Sequence, residues 1–217
     1  MGLRRPLAML GMLVGAIALA IQFSLTVPAA MAVSEAAPEG RTLLMALIFF
    51  FSFFTILSNI ALVLVYLSGL SRASALAIFR HPVTRGLMVS SITLVMIFYH
   101  LLLAQTWSPE GLFLVADTLL HYVTPVLYIA WWVLYARTGT LHWRHLPIML
   151  LPTLVYFLYA LLRGAVVGEY PYPILEADSL GYGQVLINAG FVAIGLAVLS
   201  SLVVLIDKAP RPAPNFS

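Results

Sequence analysis

The chain has 217 residues, of which 62% are hydrophobic and only 9% are charged, and its mean hydropathy is +1.03. Soluble domains carry about 25% charged residues, so this composition excludes a water-soluble globular protein. The formal net charge is +3, and the position of the charges matters more than their sum. The chain has no cysteine, which excludes disulfides, thiol nucleophiles and thiolate metal ligands.

Continuous apolar runs dominate the sequence. A bilayer core of about 30 Å requires roughly 20 apolar residues in a helix, whereas a transmembrane β-barrel uses shorter alternating segments. The sequence therefore predicts an all-α integral membrane protein with a single six-helix domain over residues 1–217, ending in an unfolded Pro-rich tail at 209–217. The predicted spans lie near 7–27, 42–67, 83–104, 113–135, 146–163 and 183–206.

The distribution of charge predicts that both termini lie in the cytoplasm, because cytoplasmic loops carry the excess of Lys and Arg. With the N-terminus inside, nine of the eleven basic residues fall on the cytoplasmic side: Arg4, Arg5, Arg72, Arg80, Arg85, Arg137, Arg144, Lys208 and Arg211. The opposite loops hold only two basic residues, Arg41 and Arg163, and most of the acidic ones: Glu35, Glu39, Glu110, Glu169, Glu176 and Asp178.

The first apolar run resembles a signal peptide, since Arg4 and Arg5 precede it and a small-residue stretch follows at 30–32. Its length of about 20 residues exceeds the 7–15 residues of a signal peptide core, so we predict an uncleaved anchor. Cleavage would leave five spans and place the mature N-terminus outside.

Three loops have distinctive compositions. Segment 28–41 is a short outer loop, and the basic inner loop 68–82 is predicted to contain a short interfacial helix over 73–79. Segment 164–182 is the longest outer loop, and its Tyr170, Tyr172 and Tyr182 suit the headgroup level of the bilayer.

The second apolar run contains polar side chains within the stretch FFFSFFTILSNI, at Ser52, Thr55, Ser58 and Asn59. Three of them, Ser52, Thr55 and Asn59, share one helical face because they are spaced three and four residues apart. Such hydroxyls often bond a carbonyl one turn back or join neighbouring helices, which is the structural alternative to a functional role.

Ionisable residues within membrane spans are functional candidates by default, and they are few here. Span 3 carries His100, and span 4 carries Asp117 and His121, which share a face with Thr124. Proline at 125 removes the amide bond back to the carbonyl of His121, which predicts a kink beside the histidine.

Depth in the bilayer links the second and fourth spans. At about 1.5 Å per residue, Thr55 lies about 18 Å and His121 about 12 Å below the outer ends of their helices, so they can share one level. His100 lies near the outer surface by the same measure. A threonine hydroxyl becomes a nucleophile when a nearby base takes its proton, and neutral imidazole can do so near pH 7.

We therefore predict Thr55 and His121 as a catalytic pair. Asp117 would orient the imidazole, and Asn59 would donate to a developing oxyanion, as supporting residues. The remaining candidates for lining the cavity around this pair are Ser52, Ser58, His100 and Thr124.

Three sequence blocks carry a resemblance to a known family: FFTILSN in span 2, LHYVTPVLYIAWWV in span 4 and EYPYPILE after span 5. Over residues 42–206 the chain resembles the androgen-induced gene family, also called FAR-17a-like, in a bacterial-type form. The resemblance implies an intramembrane threonine hydrolase acting on fatty acid esters of hydroxy fatty acids, with Thr55 as nucleophile and His121 as the essential histidine. It also implies a multi-pass protein of the bacterial inner membrane.

Two other functions remain open from the sequence. A zinc-dependent intramembrane hydrolase would use His100, His121 and Asp117, and a non-enzymatic lipid binder or transporter would use the polar residues to line a path. The preferred reading needs no cofactor and no metal. Its partners are the bilayer and a lipid or fatty-acyl ester substrate, with no nucleic acid.

The charge distribution generates a topology prediction. Reporter fusions are expected to place segments 28–41, 105–112 and 164–182 outside, and 68–82, 136–145 and the C-terminus inside, because the basic residues cluster on the second set. Paired phosphatase and fluorescent-protein fusions at the same positions give opposite signals and serve as mutual controls. A C-terminal reporter found outside would contradict the six-span topology.

Overall fold

The computed structural model describes residues 3–34, 37–71 and 73–210. In these ranges the chain consists of helices, turns and loops, and it contains no β-strand. The α-helices are α1 (Arg4–Met31), α2 (Leu43–Phe51), α3 (Phe54–Leu70), α4 (Ala77–Arg80), α5 (Pro82–Phe98), α6 (Gly111–Thr118), α7 (Thr124–Trp131), α8 (Leu146–Val167) and α9 (Ala177–Lys208).

Wide π-helical turns extend or join several of these helices. Tyr99–Leu103 continues α5, Leu119–Val123 joins α6 to α7, and Trp132–Ala136 continues α7. The middle turn comes directly before Thr124–Pro125, where the proline cannot donate a backbone hydrogen bond to the preceding turn. Where a kink was predicted at Pro125, the structure has a wide turn that contains His121.

The predicted spans agree with the helices that are long and apolar enough to cross a membrane. Among the described residues, five helical segments meet this standard alone, and the pair α2 and α3 makes a sixth if it is counted as one bent span. The five are Arg4–Met31, Pro82–Leu103, Gly111–Ala136, Trp143–Val167 and Ala177–Lys208. The prediction of an all-helical, multi-pass membrane protein is confirmed at this level.

The second span predicted at 42–67 is divided between two helices, α2 and α3, which meet at a bend of 76°. The break lies at Ser52 and Phe53, and the Ser52 hydroxyl donates to the Phe49 carbonyl at 2.6 Å. A serine that bonds its own backbone competes with the helical ladder and favours such an interruption. Thr55 consequently lies in the first turn of a new helix instead of in mid-span.

The helices pack in two groups that share α3 and α7. Helix α1 packs against α2, α3, α6 and α7, while α5 packs against α3, α7, α8 and α9. The largest buried side chains in the first core are Tyr66, Tyr128, Trp131 and Trp132. Large apolar side chains also cover the outer surface, as expected of a protein whose outer surroundings are lipid.

Polar contacts join the helices at the end of the bundle that is predicted to face the cytoplasm. Asp207 accepts hydrogen bonds from the backbone N–H groups of Thr138 and Leu141, both at 2.9 Å. The short helix predicted at 73–79 corresponds to a 3₁₀ turn, Ser74–Leu76, followed by α4. Of the predicted tail, residues 211–217 lie outside the described residues, as do Glu35 and Arg72.

The close approach of α1 and α3 generates a stability prediction. A Cβ atom at Gly11 would come within 2.5 Å of the Tyr66 hydroxyl, and Tyr66 is fixed between Tyr128 and Trp131. Gly11→Ala is therefore expected to destabilise the fold by about 1–3 kcal/mol, as overpacked cores do. Unfolding in mixed detergent micelles measures the loss.

Gly69 is the matched control, since it is also helical but a Cβ there would meet no atom within 4 Å. Gly69→Ala should be neutral or stabilising through helix propensity. Equal stability of the two variants would contradict the close packing of α1 on α3.

Candidate active site

Thr55 lies in the first turn of α3, and its hydroxyl meets the imidazole of His121 from the turn between α6 and α7. The distance between Thr55 Oγ1 and His121 Nε2 is 3.3 Å. Thr55 is 8% exposed, and the His121 side chain is 13% exposed. This distance agrees with the expectation that the two side chains approach each other, although the residues are 66 positions apart in the chain.

The other ring nitrogen of His121 is held by Asp117. Nδ1 lies 3.0 Å from the Asp117 carbonyl oxygen and 3.2 Å from its Oδ1. Both atoms are acceptors, so Nδ1 carries the hydrogen in the neutral ring and Nε2 presents a lone pair toward the Thr55 hydroxyl. This tautomer is the one that a base acting on Thr55 requires.

Tyr99 completes the surroundings of the histidine. Its hydroxyl donates to Asp117 Oδ2, and its ring stacks on the imidazole with centroids 3.8 Å apart and planes 13° apart. The carboxylate therefore accepts from both Tyr99 and His121, so its charge is compensated inside the apolar bundle. Tyr99 was not among the residues predicted from the sequence, because only its position in the wide turn after α5 brings it to this level.

Two tyrosines satisfy the backbone at the break between α2 and α3. The Tyr172 hydroxyl accepts from Thr55 N–H at 3.3 Å and lies 3.5 Å from Thr55 Oγ1, while Tyr156 donates to the Ser52 carbonyl at 2.9 Å. Burial raises the pKa of the Tyr172 hydroxyl above its ordinary value, so the group keeps its proton and can donate it in a hydrogen bond.

Tyr172 contacts the start of α3 from the loop after α8. Phe53 packs edge-on against its ring, and its hydroxyl points to the nucleophile candidate. Tyr170 packs against Gly164, whereas Tyr182 is exposed; the prediction that these tyrosines lie at the headgroup level stays a prediction. The one sequence signal for Tyr172 was its place in the block EYPYPILE, which indicated the family and not this contact.

Asn59 makes hydrogen bonds that differ from its predicted role as a donor to an oxyanion. Its amide nitrogen donates to the Thr55 carbonyl at 2.9 Å and to the Leu120 carbonyl at 3.2 Å, and its oxygen accepts from Thr124. Both amide hydrogens are thus used, which leaves none for an oxyanion. Asn59 instead joins α3 to the wide turn before α7, one turn below Thr55.

The predicted cavity-lining residues lie away from the site. Ser52 bonds the Phe49 carbonyl, Ser58 is buried against neighbouring helices, and Thr124 bonds Asn59, because a hydroxyl inside an apolar bundle takes the nearest free acceptor. His100 is exposed, with Nδ1 3.1 Å from the Tyr122 hydroxyl. Within residues 3–34, 37–71 and 73–210, no three His, Cys, Asp or Glu side chains form a group that could hold a metal ion. The zinc alternative therefore has no geometric support.

Two chambers meet at Thr55. The larger, of about 550 Å³, lies between α1, α2 and α6 and includes Gln22, Arg41, Asp117 and His121 among its walls. The smaller, of about 250 Å³, lies between α5, α8 and α9. Four residues border both chambers: Thr55, Tyr99, Leu103 and Tyr172.

An ion cluster of Arg41, Arg163 and Glu169 lies beside the larger chamber. Glu169 bonds Arg41 at 2.7 Å and Arg163 at 2.9 Å, and Arg41 also donates to the Ala30 carbonyl. Burial alone would raise the pKa of Glu169, but the hydrogen bonds and charges of the two arginines outweigh it and lower that pKa. The cluster connects the segment before α2 with the loop that carries Tyr172.

Comparison of the chain with protein-family models, with curated proteins and with solved structures gave no match. The resemblance to the androgen-induced gene family therefore stays a prediction. The hydroxyl of Thr55, the imidazole of His121 and the carboxylate of Asp117 form a connected chain within the helical bundle, and this geometry defines the class of site.

The ion cluster generates a pH prediction. Because the folded pKa of Glu169 is lowered, its contribution to stability is complete above its ordinary pKa of about 4.3 and is lost as the pH falls through the lowered value. Glu169→Gln is expected to lower stability at pH 7 by about 1 kcal/mol, since the carboxylate is partly exposed. Thermal unfolding in detergent measures this difference, which should vanish as the pH approaches 3 in the same buffer series.

Glu176 is the matched control, because it lies in the same loop and bonds only Ser179 among the hydrogen-bond donors of the described residues. Glu176→Gln should leave the pH profile unchanged. A Glu169→Gln difference that persists at pH 3 would contradict the assignment of the effect to the ion cluster.

Proposed function

We propose that this protein is an intramembrane hydrolase of lipid esters, with Thr55 as nucleophile, His121 as general base and Asp117 as the residue that orients the imidazole. The observation that carries the proposal is the connected chain Thr55 Oγ1, His121 Nε2, His121 Nδ1 and Asp117, with distances of 3.3 and 3.2 Å between the three side chains. A purely structural hydroxyl would bond a backbone carbonyl, as Ser52 does.

The reaction follows from this order of atoms. Thr55 Oγ1 attacks the ester carbonyl carbon while its proton passes to His121 Nε2. The tetrahedral intermediate then breaks the bond to the alcohol oxygen, which takes the proton from Nε2 and leaves as the free alcohol. Water attacks the acyl-threonine with His121 again as base, which releases the fatty acid and restores Thr55.

The developing oxyanion needs donors on the other side of Thr55. Thr55 N–H lies in the first turn of α3, where backbone N–H groups have no helical partner, and the Tyr172 hydroxyl lies beside it. Because that amide donates its hydrogen to the Tyr172 oxygen, we assign oxyanion stabilisation to the Tyr172 hydroxyl, in place of Asn59. An amide polarising the tyrosine oxygen strengthens the hydrogen bond that the tyrosine donates.

The chambers support a lipid substrate. Both are lined mainly by apolar side chains, and they meet at Thr55 from opposite sides, which suits an ester with apolar groups on both its acyl and its alcohol parts. Fatty acid esters of hydroxy fatty acids have this form, and they are the substrates that the family resemblance implies. No bound cofactor or metal takes part in the proposed steps.

The proposal includes a location and an orientation. The charge distribution supports a chain with both termini in the cytoplasm, embedded in the bacterial inner membrane if the family resemblance holds. The loop that carries Glu169 and Tyr172 then lies on the outer side, and the site lies in the outer half of the bilayer.

A second candidate function is a non-enzymatic lipid binder. Two apolar chambers that reach the interior of the bundle favour it, since they suit bound acyl chains without any reaction. It gives no reason for the tautomer of His121 that Asp117 imposes.

Covalent labelling tests the hydrolase. A lipophilic fluorophosphonate should label purified protein in detergent, and peptide mapping should place the adduct on Thr55. Thr55→Ala and His121→Ala should each abolish labelling and lower ester hydrolysis by roughly a thousandfold or more, because members of one catalytic unit are not additive. Thr55→Ser should retain part of the activity because it keeps the hydroxyl.

Thr153→Ala is the matched control: Thr153 also borders the smaller chamber, but its hydroxyl has no hydrogen-bond partner among the described residues. Folding should be preserved in Thr55→Ala, since an intramembrane hydrogen bond contributes about 0.6 kcal/mol on average. Labelling that survives Thr55→Ala and disappears with Ser52→Ala or Ser58→Ala would show that the serine, and not Thr55, is the nucleophile. Labelling unchanged in every variant, or absent from the wild type, would favour the lipid binder.

A further inference from the structure

The two chambers differ in which members of the proposed catalytic chain they reach. His121 and Asp117 border the larger chamber and not the smaller one, while Thr55 borders both. Tyr172 lies at the boundary, with its hydroxyl next to Thr55 N–H. Because the proton must travel through His121, this asymmetry determines how an ester can lie across Thr55.

The leaving oxygen must approach the proton on His121 Nε2. When the bond between the acyl carbon and the alcohol oxygen breaks, that oxygen takes the proton from Nε2, so it has to lie on the imidazole side of Thr55. The alcohol part of the substrate is then directed into the chamber that His121 borders. The acyl chain, attached to the same carbon, is directed away from it, past Tyr172 and toward α9.

The side chains that line the two chambers agree with this placement of the acyl chain and the alcohol. None of the described residues that line the smaller chamber is charged, and its deeper walls are apolar side chains such as Leu94, Phe157 and Val192. The larger chamber carries Gln22, Thr26 and Arg41 in addition to Asp117 and His121. A plain hydrocarbon chain fits the first lining, and an alcohol with polar substituents or chain ends fits the second.

The second half of the reaction imposes the same direction. Water that cleaves the acyl-threonine must reach the carbonyl carbon from the side of His121, because the same base activates it. The departure of the alcohol empties the larger chamber, whose polar side chains suit water. The acyl chain meanwhile stays in the smaller chamber.

We infer that the smaller chamber, between α5, α8 and α9, is the acyl-chain site and that the larger chamber, between α1, α2 and α6, is the alcohol site. The inference rests on the proposed hydrolase and adds the direction in which its substrate is bound. Acyl-chain length is then selected by Leu94 and Val192, and the alcohol is selected by the walls that α1 and α2 supply.

Two isomeric esters separate the chambers. Methyl dodecanoate has a long acyl chain and a minimal alcohol, and undecyl acetate has the same formula with a minimal acyl group and a long alcohol. Val192→Trp, which fills the smaller chamber, is expected to lower kcat/KM for methyl dodecanoate about tenfold or more and to leave undecyl acetate unchanged. Ala29→Trp, on the wall of the larger chamber, is expected to give the reverse pattern.

Each variant has a control on its own helix that lies outside the chamber. Phe191→Trp on α9 and Ile17→Trp on α1 change exposed side chains that line neither chamber and should alter neither rate. Leu94→Phe narrows the smaller chamber from α5 and repeats the test should Val192→Trp fail to fold, as judged by thermal unfolding.

A crosswise loss confirms the assignment, and a reversed pattern or an equal loss on both esters overturns it. These outcomes are distinct from failure of the proposed function. If Thr55→Ala hydrolyses both esters as fast as the wild type, or the wild type hydrolyses neither, the hydrolase proposal falls and the substrate direction falls with it.

Discussion

A helix that breaks inside a membrane protein leaves backbone N–H and C=O groups out of reach of water, and each needs a partner from the protein. The break between α2 and α3 meets this need with two tyrosines from distant parts of the chain: Tyr156 donates to the Ser52 carbonyl, and Tyr172 accepts from Thr55 N–H. These contacts bring α8 and the outer loop against the start of α3. The chambers and the proposed nucleophile meet at that point because the backbone there requires polar neighbours.

A second constraint fixes the histidine relative to this helix start. The wide turn Leu119–Val123 leaves the Leu120 carbonyl free to accept from Asn59, which also bonds the Thr55 carbonyl. One amide side chain therefore joins the helix that carries Thr55 to the turn that carries His121. Catalytic groups act best when their geometry is set before the substrate binds, and this buried contact supplies such rigidity.

Some features of this arrangement were predicted from the sequence, because they depend on residues that are close together in the chain. Apolar runs predicted the spans, and the four-residue spacing of Asp117 and His121 predicted their contact, because both patterns depend on neighbouring residues. The break at Ser52 was missed because the surrounding phenylalanines are as apolar as any helix interior. The contacts of Tyr99 and Tyr172 were not predicted, because they depend on packing between segments that are distant in the chain. Asn59 was predicted to donate to an oxyanion, because the sequence does not show that its amide group bonds two backbone carbonyls.

The distribution of charge along the larger chamber connects the two constraints. Asp117, the acidic side chain among the described residues that line this chamber, is compensated by donors from Tyr99 and His121. Arg41 and its partner Glu169 lie in loops at the end of the bundle that is predicted to be outside, where water would lower the cost of charge. Polar side chains thus extend along the larger chamber from Arg41 to His121 beside Thr55, whereas the smaller chamber holds no charge among its described lining residues. The proposed nucleophile therefore lies between a polar chamber and an apolar one, which suits the proposed hydrolysis of an ester whose acyl chain stays bound.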